Sequence, residues 1–254
     1  MDRSPTVRRW WSAARQRDGL LPAIASLTSA CWRFLRDSTP ARKRQRYGDV
    51  DFDWDQRVDT TSATVPWRDR LLGELHSPYQ PTEPGLFHEM MGCLKIDFRQ
   101  FVFVDLGSGK GRTLLMAAEY PFHKIVGVEL LPSLHRIAVE NIARHTAKTR
   151  GETESICGDA QEFIFPRQPM VLYLFNPLPE AGLRRVVANL EASLRETPRP
   201  LFILYHNPLS ERPFLESAAL AKVGGTHQYV VFAGHAAHAN LRAQILPDGN
   251  SQPR

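Results

Sequence analysis

"VDLGSGKGR", Val104–Arg112, is the stretch that decides the fold. It sets glycines at alternate positions, Gly107, Gly109 and Gly111, with Asp105 two residues before the first. Glycine lets a backbone approach a ligand with no Cβ in the way and adopt left-handed dihedrals. Three nucleotide-binding loops compete for this pattern. A phosphate-cradling G-x-x-x-x-G-K-[ST] loop fails, because Val104 stands at the first glycine and Gly111 at the hydroxyl position. A dinucleotide G-x-G-x-x-G loop is weakened, because Gly111 arrives one residue early and Arg112 takes the third glycine's place. The acid-x-G-x-G-x-G loop is matched in full by Asp105, Gly107, Gly109 and Gly111.

Working outward, the flanks alternate between short β-rich runs and helical patterns. "FVFVDL", "KIVGVEL", "TESICGDA", "MVLYLFNPL" and "PLFILYHNPL" read as strands, and "KVGGTHQYVVFAGH" as a last strand or hairpin. Between them "GRTLLMAAEY", "PSLHRIAVENIARHTA" and "AGLRRVVANLEASLRE" read as helices, the second opened by Pro132. Such alternation predicts an α/β, Rossmann-like, doubly wound and mainly parallel sheet. Ligands of these sheets sit beyond the carboxyl ends of the strands. The unusual residues fall there: Asp105–Gly111, Glu129, Asp159 and Asn176.

On these four motifs, over roughly residues 79–235, the chain resembles the class I S-adenosylmethionine-dependent methyltransferases. The resemblance implies a seven-stranded sheet and S-adenosyl-L-methionine as cofactor. It implies that Asp105 receives the cofactor's ammonium, directly or through water, and that Gly107, Ser108, Gly109 and Gly111 form the backbone cradle. A carboxylate accepts two ribose hydroxyls well, the role given to Glu129, which lies at the end of "GVE". Asp159 in "CGDA" is similar to the family's reader of the adenine amino group, with Ala160 offering its backbone amide. Read without the resemblance, Asp105 and Asp159 are equally plain helix caps, and Glu129 a surface carboxylate.

"YLFNPLP" ends the fourth strand, the position that faces the transferred methyl in this family. Asn176 and Pro177 match an Asn/Asp-Pro-Pro-aromatic motif that orients nitrogen acceptors, whereas Leu178 and Pro179 depart from it. Asn176 and Pro177 are therefore the expected catalytic pair, with Asn176 also near the cofactor, and the missing aromatic argues against a stacked nucleobase. Asn-Pro is also a common turn pair. "YQPTEP" resembles a segment that folds over the cofactor in seven-strand lysine methyltransferases, making Tyr79, Thr82 and Glu83 candidate lid residues. His206, at the end of "LYH", lies at the same edge, where a lone histidine is more often structural. The nearest pattern is a group of compact bacterial methyltransferases with no settled substrate. The implied activity is methyl transfer to a nitrogen of a protein lysine or small-molecule amine. A nucleic-acid methyltransferase and a non-catalytic cofactor-binding module are the alternatives.

The remaining chain sets the boundaries. Residues 1–46 carry 11 Lys/Arg against Asp2, Asp18 and Asp37, a balance of +8, while the remainder carries 21 against 24, a balance of −3. This segment reads as a basic helical extension and linker, with apolar residues at helical spacing from Pro22 to Arg36. It is either a solvated arm or a phosphate footprint for nucleic acid. Residues 47–98 form a pre-core segment with the lid and a leading helix that begins near Gly85, residues 99–240 the methyltransferase core, and 241–254 a polar tail. "YGDVDFDWDQRVDTT" alternates acids with apolar residues and suggests an extended edge or acidic loop. It lacks the turn glycine and distal Glu of a calcium loop, so no metal site is expected. The three cysteines are widely separated, which suits a reducing, cytoplasmic setting. The best apolar run, "GLLPAIASLTSACWRFL", is too short and too polar for a transmembrane segment.

Overall fold

The computed structural model describes Thr28, Trp32 and residues 50–61, 80–145 and 151–235. The helix expected over 22–36 lies outside the described residues except at Thr28 and Trp32, both helical. Tyr79, the 37–46 linker and the 241–254 tail lie outside them altogether. The chain divides into two compact units, one of Met1–Asp55 with Thr61–Pro81 and one of Gln56–Thr60 with Thr82–Arg254. Among the described residues no helix is long and apolar enough to cross a membrane.

In the first unit the described structure is chiefly the start of helix α1, Val50–Gln56. The sequence pattern suggested an extended or looped segment here, and the structure corrects it. The stretch alternates with period two, but it also repeats with period four: Val50 and Trp54 are one i,i+4 pair, Asp51 and Asp55 another. Seven residues are too few for periodicity to separate the two. Asp53 Oδ2 accepts from the backbone N–H of Thr61 at 2.8 Å, tying the helix to the chain that follows it.

The second unit is built on a seven-stranded sheet. Helix α2, Pro84–Gly92, opens as the sequence predicts, with Pro84 in its first turn. Glu83, expected in the lid, is its N-cap, accepting from Gly85 N at 2.9 Å and Leu86 N at 2.6 Å. The order continues β1 Val102–Leu106, α3 Arg112–Ala117, β2 Lys124–Glu129, α4 Pro132–Arg144, β3 Glu152–Cys157, β4 Met170–Leu174, α5 Glu180–Glu196 and β5 Leu201–His206. A short α6, Arg212–Leu215, then leads into the hairpin β6 Leu220–Gly225 and β7 Tyr229–Gly234. The spatial order is β3-β2-β1-β4-β5-β7-β6. The first five strands are parallel, and β7 enters antiparallel between β5 and β6.

Every residue of β1, β4 and β5 is buried, as their unbroken apolar runs require when helices cover both faces. One face carries an aliphatic core, in which Val104, Val126, Leu172 and Ile203 meet Leu183, Val186, Val187 and Leu190 of α5. The other face carries an aromatic layer, in which Phe87 of α2 meets Phe103 and Tyr173 at ring-centroid distances of 6.0 and 5.9 Å. Strand order reverses between β1 and β4, which opens the crevice at their carboxyl ends.

Candidate functional site

The glycine loop leaves β1 at that crevice. Gly107, Gly109 and Gly111 have φ of +84°, +55° and +83°, so all three occupy the left-handed region where a side chain is strained. Gly107 also has no room: a Cβ there would lie 2.7 Å from Pro177 Cβ, which is how the loop and the end of β4 come to touch. The backbone N–H groups of Gly107 and Ser108 donate to Val128 O at 2.8 and 3.0 Å, pinning the loop to β2.

Glu129 closes the arrangement. Its Oε2 accepts from Gly109 N and its Oε1 from Leu131 N, both at 2.8 Å, and its side chain is buried. Asp105 is 2% exposed and accepts from the Thr113 hydroxyl. Burial pushes its carboxyl up to about 7, against the Thr113 bond that lowers it and with the Glu129 charge raising it further. Ser108 Oγ is buried with no hydrogen-bond partner. A buried hydroxyl is seldom left so unless a ligand or water completes it.

Asp159 does what the plainer reading expected: it caps the 3-10 turn Ala160–Glu162, accepting from Gln161 N at 2.9 Å. The carboxylate lies at the carboxyl end of β3, half-buried, beside the buried Ala160.

Lys110 and Arg112, the departures from other nucleotide loops, are 0% and 2% exposed. Their heads turn away from the glycine backbone. Lys110 Nζ meets Asp59 Oδ1 at 2.9 Å, Arg112 Nε donates to Thr60 Oγ1 at 2.7 Å, and Arg112 Nη1 to Thr82 O at 3.4 Å. Asn141 of α4, 0% exposed, completes the strap: its Oδ1 accepts from Asp59 N, and its Nδ2 donates to Asp59 O and Lys110 O. Buried cations survive only when paired and hydrogen-bonded, so the "KGR" of the loop is a clasp for "VDT" upstream. Sequence reading missed this, because the partners lie 51 to 82 residues apart.

At the end of β4, Asn176 takes φ +45° and is buried. Its amide oxygen accepts from Tyr205 Oη at 2.8 Å and Leu209 N at 3.1 Å, while its Nδ2 donates to Asn207 O at 2.6 Å. In the structure this oxygen is thus engaged by Tyr205 of β5 and by Leu209 beyond it, so the residue braces two strand ends. The side chain of Thr82, a lid candidate, packs inward. Thr82 is 3% exposed and its Oγ1 bonds Tyr173 Oη at 2.7 Å.

That bond is the first of a chain. Tyr173 Oη also bonds His206 Nδ1 at 2.8 Å, and the His206 ring lies 3.9 Å from that of Phe175, tilted 35°. Burial holds the His206 imidazole down to about 4 and the Tyr173 phenol well above its usual range, so both are neutral at pH 7. A sequence signal for this corner exists. β4 ends in "FNPL" and β5 in "HNPL", and both asparagines take φ of +45°. Two parallel neighbours closing with the same turn set Phe175 and His206 side by side.

The strand order, with a reversed β7 and a glycine loop at the switch point, is the Rossmann-like, mainly parallel seven-stranded sheet that the sequence resemblance implies. No family model matches the chain, and no curated protein does. Solved structures do. An RNA methyltransferase from Salinibacter ruber in complex with S-adenosyl-L-homocysteine is 21% identical, over 61% of this chain and 92% of that one, with a TM-score of 0.40. A dimethyladenosine transferase from Plasmodium falciparum is 14% identical, over 60% and 62%, with a TM-score of 0.44. The precorrin-6y C5,15-methyltransferase of Geobacter metallireducens is 14% identical, over 60% and 88%, at 0.43.

Proposed function

We propose that this chain is an S-adenosylmethionine-dependent methyltransferase acting on a nitrogen acceptor. The observation that supports it most is the loop itself: three left-handed glycines at the switch point, closed by a buried Glu129 that holds Gly109 N. The residues fit the cofactor. Ser108 Oγ is a buried hydroxyl without a hydrogen-bond partner, which a bound ligand or water would complete. Asp105 has a carboxyl for the ammonium, and a cation beside it favours the ionised form that burial opposes. Glu129 meets the ribose hydroxyls, Asp159 and the amide of Ala160 the adenine, and the cradle is completed by Gly107, Gly109 and Gly111. Thr82 contributes through its backbone, while Tyr79 lies outside the described residues.

The bound cofactor supplies an electrophilic methyl group on a sulfonium. The chain's own residues do the rest by orientation, which is worth several kcal/mol of barrier in such displacements. Pro177 and Asn176 form the wall between cofactor and acceptor, with Asn176 as the positioning residue that fixes the β4 end on β5. A methyl-labelled S-adenosylmethionine assay against lysine peptides, planar amines and RNA tests the reading. Label recovered on nitrogen supports it, and a protein that binds no S-adenosylmethionine ends it.

A nucleic-acid acceptor is the second reading, favoured by the +8 balance of residues 1–46. Deleting those residues leaves RNA binding and its salt dependence unchanged if the arm is not the recognition element.

A further inference from the structure

We propose that His206 is the acceptor-side catalytic residue of this site: its Nε2, set by Tyr173 and Thr82, takes the N–H of a planar, uncharged nitrogen acceptor held at the edge of the Phe175–His206 pair. The proposal rests on the methyltransferase reading above and names its substrate class.

Four observations support it. First, His206 closes β5 level with the residue that follows β4, so it stands at the same sheet edge as Asn176 and Pro177. Second, its ring is fixed on two sides. Nδ1 is bound to Tyr173 Oη at 2.8 Å, Tyr173 to Thr82 Oγ1 at 2.7 Å, and one ring face lies on Phe175 at 3.9 Å. Third, Nε2 has no hydrogen-bond partner among the described residues, whereas Nδ1 is bound and the residue keeps 7% of its surface exposed. Nε2 is thus the ring nitrogen left for a ligand at the carboxyl end of β5. Fourth, no described carboxylate bonds Tyr173, Phe175 or His206: Phe175 is half-buried, Leu209 three residues beyond His206 is 82% exposed, and Asp105, the register partner of Tyr173, acts on its phenol by charge alone.

Such a corner suits a flat amine and not an ammonium. An alkyl ammonium holds its proton to a pKa of about 10.4, and no described carboxylate bonds the Phe175–His206 pair to receive it, Asp105 being assigned to the cofactor. An imidazole held down to about 4 by burial does not strip that proton. A planar amine is already neutral. As its N–C bond forms and the cofactor's C–S bond breaks, its N–H becomes strongly acidic and passes to Nε2, then to water. Sulfonium becomes neutral thioether, and the charge leaves as a proton. When Tyr173 donates to Thr82, His206 Nδ1–H donates to Tyr173 and Nε2 presents its lone pair, the tautomer this step needs.

The test uses full-length protein saturated with S-adenosylhomocysteine, with ¹³C-labelled histidine observed by NMR and His206 assigned through His206→Gln. Aniline and adenine are the planar probes and n-butylamine the ammonium probe. The planar probes are expected to shift the His206 ring signal and n-butylamine to leave it. His206→Gln is expected to weaken planar-probe binding about tenfold, the loss of one hydrogen bond, with S-adenosylhomocysteine affinity unchanged. Tyr173→Phe is expected to move the His206 ring nitrogens toward a tautomeric mixture, which a merely space-filling tyrosine does not do. Planar probes that leave His206 unmoved, or n-butylamine moving it as much, overturn the proposal while the cofactor reading stands. Loss of S-adenosylhomocysteine binding in the wild type overturns both.

Discussion

Replacing Asn141 with leucine, close to it in volume, removes three hydrogen bonds at once. They run from Asp59 N at 2.9 Å, to Asp59 O at 2.8 Å and to Lys110 O at 3.0 Å. Asn141 and Lys110 are both 0% exposed, so no water replaces the amide at Lys110 O, while the half-buried Asp59 groups are partly rescued by solvent. A net hydrogen bond is worth about 1 kcal/mol and a stranded buried polar group rather more, giving a loss of about 2–3 kcal/mol. For a chain of this size that is a fall in Tm of about 4–12 °C. Calorimetry measures it, and hydrogen exchange at Asp59 N–H reads the site locally, with protection lost at Asp59 before the sheet. A Tm shift below about 2 °C, or unchanged exchange at Asp59, refutes the claim that this strap is held by Asn141.

Two further outcomes follow from the loop. Gly107→Ala forces a side chain into φ +84° with its Cβ 2.7 Å from Pro177 Cβ. It is expected to cost about 1–3 kcal/mol of stability and to weaken S-adenosylhomocysteine binding, measured by denaturation and calorimetry. Asp105 is held up to about 7 in the folded state against 3.8 otherwise, so between those values the native state binds the extra proton. Stability is therefore lost as pH rises through that window. Asp105→Asn is expected to flatten the slope, read as Tm from pH 4.5 to pH 8; a wild-type Tm that climbs over that range contradicts it.

The parts legible in the sequence were those whose signal is local. Unbroken apolar runs such as "VLYL" announce strands buried on both faces, and Pro132 announces a helix start. Glycines at alternate positions announce the left-handed loop, and Glu129 and Asn176 announce strand ends, because their chemistry contrasts with the strands they close. The unread parts depend on partners distant in the chain. Nothing near Lys110 or Arg112 shows that their heads reach Asp59 and Thr60, and nothing near Asn176 shows that Tyr205 and Leu209 use its oxygen. Helix α1 was misread for the opposite reason: seven residues fit two periods equally well. His206 was undervalued because a lone histidine carries no meaning until Tyr173 and Phe175 fix its ring.

The central claim is that the Gly107–Gly111 loop and Glu129 bind S-adenosylmethionine, and titration calorimetry with S-adenosylhomocysteine, against NAD as control, tests it most directly. The account predicts binding of S-adenosylhomocysteine in the micromolar range, none of NAD, and a marked loss in Glu129→Ala, which removes both the ribose carboxylate and the anchor of Gly109 N. Preference for NAD, or affinity indifferent to Glu129, contradicts it.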